Sequence, residues 1–97
     1  MRPSEAIRLH RAEIHGVVER HGARNPRVFG SVLLGQDTES SDLDLLVDPI
    51  EGRTTLVSLV RIKRDIENLT GVKTDVLTPM ALNERFRLAV LAQAMPL

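Results

Sequence analysis

Apolar residues near the start of the chain recur at close to helical spacing, at Ile7, Ile14, Val17 and Val18, with arginine and glutamate between them. This predicts a first helix with Ser4 as N-cap and Glu5 in its first turn, ending near residue 21 at His21-Gly22. RVFGSV, residues 27–32, reads as a short strand stopped by a glycine, and SVLLG as one helical turn after it. A polar loop, QDTESS, leads into DLDLLVD, residues 42–48. That segment alternates and then turns fully apolar, as a strand entering a core does, and Pro49 ends it.

Thr54 or Thr55 can cap a second helix over residues 55–70, whose buried stripe is Leu59, Ile62, Ile66 and Leu69 and whose C′ residue is Gly71. VKTDVLT, residues 72–78, predicts another strand. Thr78-Pro79 then predicts a last helix, with threonine as cap, proline at N1 and Leu82, Phe86, Ala89 and Val90 facing inward. Met95-Pro96-Leu97 reads as a loose tail. The order implies an α/β fold, a small mixed sheet covered by helices. If the 42–48 and 72–78 strands are parallel, the crossover between them is right-handed.

Length and composition narrow this further. The 97 residues suit one domain, 1–97, burying roughly 65% of the surface of its unfolded chain. Thirteen basic residues balance thirteen acidic ones, so no net field draws the chain to nucleic acid or a membrane. No apolar run approaches the roughly 20 residues of a membrane span. MRPSEAIRLH is charged where a signal peptide is apolar, so a cytoplasmic protein is expected. The absence of cysteine excludes disulfides and thiolate zinc sites. Phe29 and Phe86 are the only aromatic residues, which leaves almost no platform for stacking bases. His10, His15 and His21 lack zinc-ligand spacing and read as surface groups, and Arg61, Lys63 and Arg64 as a solvated helix face. Leu88 and Leu91 are core edge or a partner contact.

Asp42 and Asp44 are two apart on a predicted strand and leave it on the same face. Two such carboxylates repel, and one pKa rises unless a cation compensates. Magnesium, which prefers one or two carboxylates together with substrate phosphates, suits the task. An Asp-x-Asp pair alone is common at a wetted strand entrance. Here Leu45-Leu46-Val47 follows at once, and Gly30-Ser31 lies upstream. Gly30 lets a phosphate approach closely, the Ser31 hydroxyl adds a donor, and backbone N–H groups at a helical turn are natural phosphate ligands. Asp75 sits in a mostly apolar strand. It faces solvent, pairs with an arginine, or joins the other two as a metal ligand or general base.

GSVLLGQDTESSDLDLLVD, residues 30–48, resembles the signature of the DNA polymerase β-like nucleotidyltransferase superfamily: Gly-Ser, a spacer, then Ser-Asp-x-Asp before an apolar strand. Asp75, on a later strand beyond a helix, fits the third acidic position. The small size and order of elements are similar to the minimal nucleotidyltransferases, commonly encoded beside a HEPN-domain protein as the antitoxin of a toxin–antitoxin pair. The resemblance implies a palm-like fold in which Gly30 and Ser31 hold the β- and γ-phosphates of ATP. It implies that Asp42, Asp44 and Asp75 hold magnesium and carry the catalysis, and that AMP passes to a tyrosine of a HEPN toxin, a hetero-oligomeric partner. With no tyrosine of its own, the chain would act in trans. Many relatives have arginine just before the second glycine and a small residue before that; here Leu34 and Leu33 stand there. The missing guanidinium removes a planar phosphate clamp. Arg27, Lys73 and Arg85 are candidates to replace it. Leu34 motivates an alternative in which the chain neutralises a partner ribonuclease by stoichiometric binding. A small-molecule transferase ranks last, because such enzymes usually carry an added helical domain.

Overall fold

The computed structural model describes residues 1–97. Its elements run α1 (Pro3–Arg20), β1 (Ala23–Phe29), a 3-10 turn (Gly30–Val32), β2 (Leu43–Pro49), α2 (Leu56–Thr70), β3 (Thr74–Leu77), a second 3-10 turn (Pro79–Ala81), α3 (Glu84–Gln93) and β4 (Met95–Pro96). The four strands form one mixed sheet in the order β3-β2-β1-β4. β1 is antiparallel to both β2 and β4, and β2 is parallel to β3 across the α2 crossover.

The core lies on one face of that sheet. Leu43, Leu45 and Val47 alternate along β2 into a cluster with Val28 of β1, Ile14, Val17 and Val18 of α1, and Ile62 and Ile66 of α2. Leu59 and Leu69 pack on its margin, so the stripe expected for α2 is the one observed. Thr55 caps α2, accepting a hydrogen bond from the Ser58 N–H at 3.1 Å. Gly71 ends it. The molecule is only 18 Å through its thinnest dimension. A sheet and one helical layer, about 10 Å apart, fill that depth, which leaves part of the opposite sheet face for chemistry.

Several boundaries differ from the sequence-based expectations. α1 begins at Pro3, and Ser4 is no cap; its N–H donates to Asp37 at 2.9 Å and ties the helix start to the 36–42 loop. β1 begins four residues before the expected Arg27 and includes a bulge at Asn25, where φ is +55°. Asparagine tolerates that conformation, and the Asn25 amide donates to Asp48 at 2.9 Å. Thr78-Pro79 opens only the 3-10 turn, and α3 starts later, capped by Asn83, which accepts from the Arg85 N–H. α3 buries no residue fully. Phe86, expected inward, is 58% exposed and Ala89 is exposed, because the apolar residues of this helix are spread around it instead of forming one stripe.

Met95-Pro96-Leu97 is no loose tail. It pairs with β1, the Leu97 N–H donates to the Pro26 carbonyl at 3.1 Å, and the His15 ring meets the Leu97 carbonyl at 2.8 Å. The histidines expected at the surface all have partners, since His10 meets Glu13 at 2.8 Å and His21 meets Asp65 at 2.6 Å. Arg61 and Arg64 are solvated as expected, whereas Lys63 is half-buried and reaches the Thr74 carbonyl at 2.7 Å.

Candidate active site

The site is built where β1 ends and β2 begins. β1 finishes at Phe29, and Gly30 turns the chain with φ +82°. A side chain would be strained there for conformational reasons alone. Space forbids one as well, because a Cβ on Gly30 would collide with the Asp44 carboxylate oxygen Oδ2. The backbone conformation favours glycine, and any side chain would also have to displace the Asp44 carboxylate. The turn continues through half-buried Ser31, whose carbonyl accepts from the Gln36 N–H at 3.0 Å and whose hydroxyl has no partner.

The strand register sets the acidic groups. Phe29 of β1, Asp44 of β2 and Asp75 of β3 lie opposite one another in one row across the sheet. Residues paired in this way share a face, here the one away from the core. Asp42 precedes β2 by one residue, two before Asp44, and its carboxylate acts on Asp44 together with that of Asp75. Asp42 and Asp44 are half-buried and Asp75 is exposed.

The electrostatics separate these three from the other aspartates. Asp37 binds the Ser4 N–H, Asp48 binds Arg27 at 2.5 Å, and Asp65 binds His21 and Arg20. Asp42, Asp44 and Asp75 have no cation and no donor. Burial, reinforced by Asp75 and then Asp42, pushes the Asp44 carboxyl above the usual carboxylate range. A site that concentrates negative charge and leaves it uncompensated favours a cation. As they stand, the three carboxylates do not close around an ion by themselves. Magnesium ordinarily completes its ligand set with water and substrate oxygens. The bare Cα of Gly30 lets the backbone of the turn lie directly against the Asp44 carboxylate. Asp42, Asp44 and Asp75 thus fit a divalent cation shared with a phosphate.

None of the arginine substitutes suggested by the sequence pairs with the three carboxylates. Arg27 is committed to Asp48, and its Nε is buried without a partner. The charge of Lys73 acts on Glu67. Arg85 lies over the Phe86 ring at 5.9 Å. Leu33 packs against the core, whereas Leu34 is 67% exposed and lines a cleft beside Gly30 with Phe29, Val90 and Gln93. The α3 contribution to that cleft is invisible in the sequence, because Val90 and Gln93 meet Gly30 only through the fold.

The chain matches the nucleotidyltransferase domain family over residues 14–96. It is 31% identical over 87 residues to the protein adenylyltransferase MntA of Thermococcus cleftensis, covering 90% of this chain and 84% of that one. A solved structure provisionally assigned as a minimal nucleotidyltransferase superposes with a TM-score of 0.84 at 45% identity, covering 97% of this chain and 95% of that one. A toxin–antitoxin complex with AMP-PNP shares the fold, with a TM-score of 0.72 at 14% identity over 88% of this chain and 69% of that one.

Proposed function

The chain belongs to the nucleotidyltransferase family, in its minimal form, and we propose that it transfers AMP from ATP to a hydroxyl of a partner protein, a tyrosine of a HEPN-type toxin, and thereby acts as an antitoxin. The observation that carries this reading is the row of unpaired carboxylates, Asp44 opposite Asp75 with Asp42 beside them, against the bare Cα of Gly30. The relative named a protein adenylyltransferase supports the acceptor class. The fold neighbour, a toxin–antitoxin complex with an ATP analogue, supports the donor and the partner.

In this reading Gly30 and Ser31 receive the β- and γ-phosphates, through the backbone N–H groups of the turn and the free Ser31 hydroxyl. Asp42 and Asp44, with Asp75, hold magnesium. An ion held there would supply Lewis-acid stabilisation of the charge on the transferring phosphate. Asp75, the exposed member, would also meet the incoming hydroxyl and accept its proton. The acceptor oxygen bonds to the α-phosphorus, the bond to the β-phosphate oxygen breaks, and pyrophosphate leaves. The acceptor is another molecule because this chain contains no tyrosine. The work would be done in the cytoplasm.

Incubation with α-labelled ATP, magnesium and the purified HEPN partner tests the proposal. Label appears on the partner with the native chain and not with the Asp42→Ala/Asp44→Ala variant. Absence of transfer from the native chain sinks it.

A second reading rests on Leu34, exposed where the family's arginine clamp is usual and lining the cleft beside Gly30. In it the fold neutralises a ribonuclease by binding alone. The same double variant discriminates, since full neutralisation at equal molar ratio means catalysis is dispensable.

A further inference from the structure

Residues 32–41 join the turn at Gly30-Ser31 to Asp42, so whatever fixes this connection fixes the two halves of the site against each other. Beyond Val32 it contains no helix or strand. Val32 and Leu33 pack against the core, but of residues 34–40 all except Asp37 are exposed. Its internal hydrogen bonds are local. The Gln36 N–H returns to the Ser31 carbonyl at 3.0 Å, the Thr38 N–H donates to the Ser41 hydroxyl at 2.8 Å, and the Ser41 N–H donates to the Thr38 carbonyl at 3.1 Å. These bonds shape the loop without attaching it to the body of the protein. An exposed loop held only by its own bonds opens easily.

Asp37 supplies the attachment. Its carboxylate accepts the Ser4 N–H at 2.9 Å, across 33 residues of sequence. Ser4, through its hydroxyl and then its N–H, holds the Asp37 carboxyl below the usual carboxylate range, so the group is ionised at neutral pH. Ser4 lies in the first turn of α1, where N–H groups have no partner within the helix. Pro3 before it has no N–H to offer. A carboxylate at such a helix start is favoured both by the charge-assisted hydrogen bond and by the helix dipole. The start of α1 is itself fixed, since Pro3, Ala6 and Ile7 are buried. The Met1 amine also meets Glu39 at 2.7 Å, but Glu39 is 70% exposed and a pair of that kind holds little.

We propose that Asp37 is a positioning residue for the transfer site: by anchoring the 32–41 connection to the start of α1, it holds the Ser31 turn and Asp42 in register for one nucleotide and its ion. It acts through the loop, on the Ser31 side by way of Gln36 and on the Asp42 side by way of the Thr38–Ser41 bonds. The inference rests on the reading that Gly30-Ser31 takes phosphates and Asp42 holds the ion, and it adds what keeps the two together.

Three variants of the full chain test it: Asp37→Ala, Asp37→Asn, which keeps an oxygen for the Ser4 N–H, and His15→Ala, which removes a single hydrogen bond elsewhere in the fold. In the free chain, Asp37→Ala speeds amide exchange at Ser4 and Gln36 while circular dichroism remains native. Titrated with magnesium-ATP by calorimetry, Asp37→Ala binds about ten-fold more weakly, Asp37→Asn stays within about three-fold of native, and His15→Ala binds as native does. In the transfer reaction, Asp37→Ala raises KM for ATP by the same factor and leaves KM for the HEPN partner unchanged. Native magnesium-ATP binding by Asp37→Ala, or unchanged exchange at Gln36, overturns the proposal. So does a loss in Asp37→Asn as large as in Asp37→Ala, which means that the charge acts directly, or an equal loss in His15→Ala, which means general loosening. If the native chain binds magnesium-ATP but transfers no AMP, the proposed activity fails and the binding series still decides the role of Asp37. If it binds none, both fall.

Discussion

Asp44 and Asp75 stand opposite each other on neighbouring parallel strands, with no cation or donor on either. Asp44 is the half-buried member, and its carboxyl titrates above its ordinary range because of burial and the two neighbouring charges. This resembles the charge arrangement of metal-dependent sites, in which a protein stores repulsion that a bound ion relieves.

If the three carboxylates hold the ion, Asp44→Asn and Asp42→Asn each lower AMP transfer by on the order of 10²-fold or more, the scale of losing a group that offsets transition-state charge. Transfer of label from ATP to the partner protein measures it. Activity within two-fold of native would exclude either residue from the site.

The raised Asp44 pKa has a definite linkage sign. A carboxyl that holds its proton more tightly in the folded state contributes stability below its unfolded pKa, about 3.9. That contribution is lost as pH rises through the higher folded value. Without metal, Asp44→Asn therefore stabilises the protein at pH 7 relative to native. Magnesium raises the native melting temperature more at pH 7 than near pH 4, and that difference shrinks in Asp44→Asn. Melting curves at the two pH values, with and without magnesium, check both statements.

Gly30 and Gly35 both have positive φ, but only Gly30 faces an obstacle. Gly35→Ala incurs the conformational strain alone, about 1–2 kcal/mol. Gly30→Ala adds the collision with Asp44, so its loss in urea titrations is larger and it disables transfer. Equal costs at the two positions would refute the close approach.

The His15 ring anchors the Leu97 carbonyl at 2.8 Å. His15→Ala is expected to cost about 0.5–1.5 kcal/mol, the net worth of one hydrogen bond. It also speeds amide exchange at Leu97, whose N–H is held by Pro26. Hydrogen exchange followed by NMR reads this directly.

What the chain determines by itself is whatever its local patterns encode. The alternation of Leu43, Leu45 and Val47, the stripe of Ile62 and Ile66, a threonine cap at Thr54 or Thr55 and the Gly30 turn each follow from nearest-neighbour chemistry, and the structure settles the cap on Thr55. The fold class and the candidate carboxylates follow from them. The tertiary structure decided what depends on residues far apart in sequence. It set the register that brings Asp75 opposite Asp44, the contact between Gly30 and the Asp44 carboxylate, and the pairing that turns Met95-Pro96 into an edge strand. It also left α3 peripheral, because a helix without a single apolar stripe has no face to bury. Side-chain periodicity reports which face a residue takes. Only the assembled sheet reports which residue stands across from it.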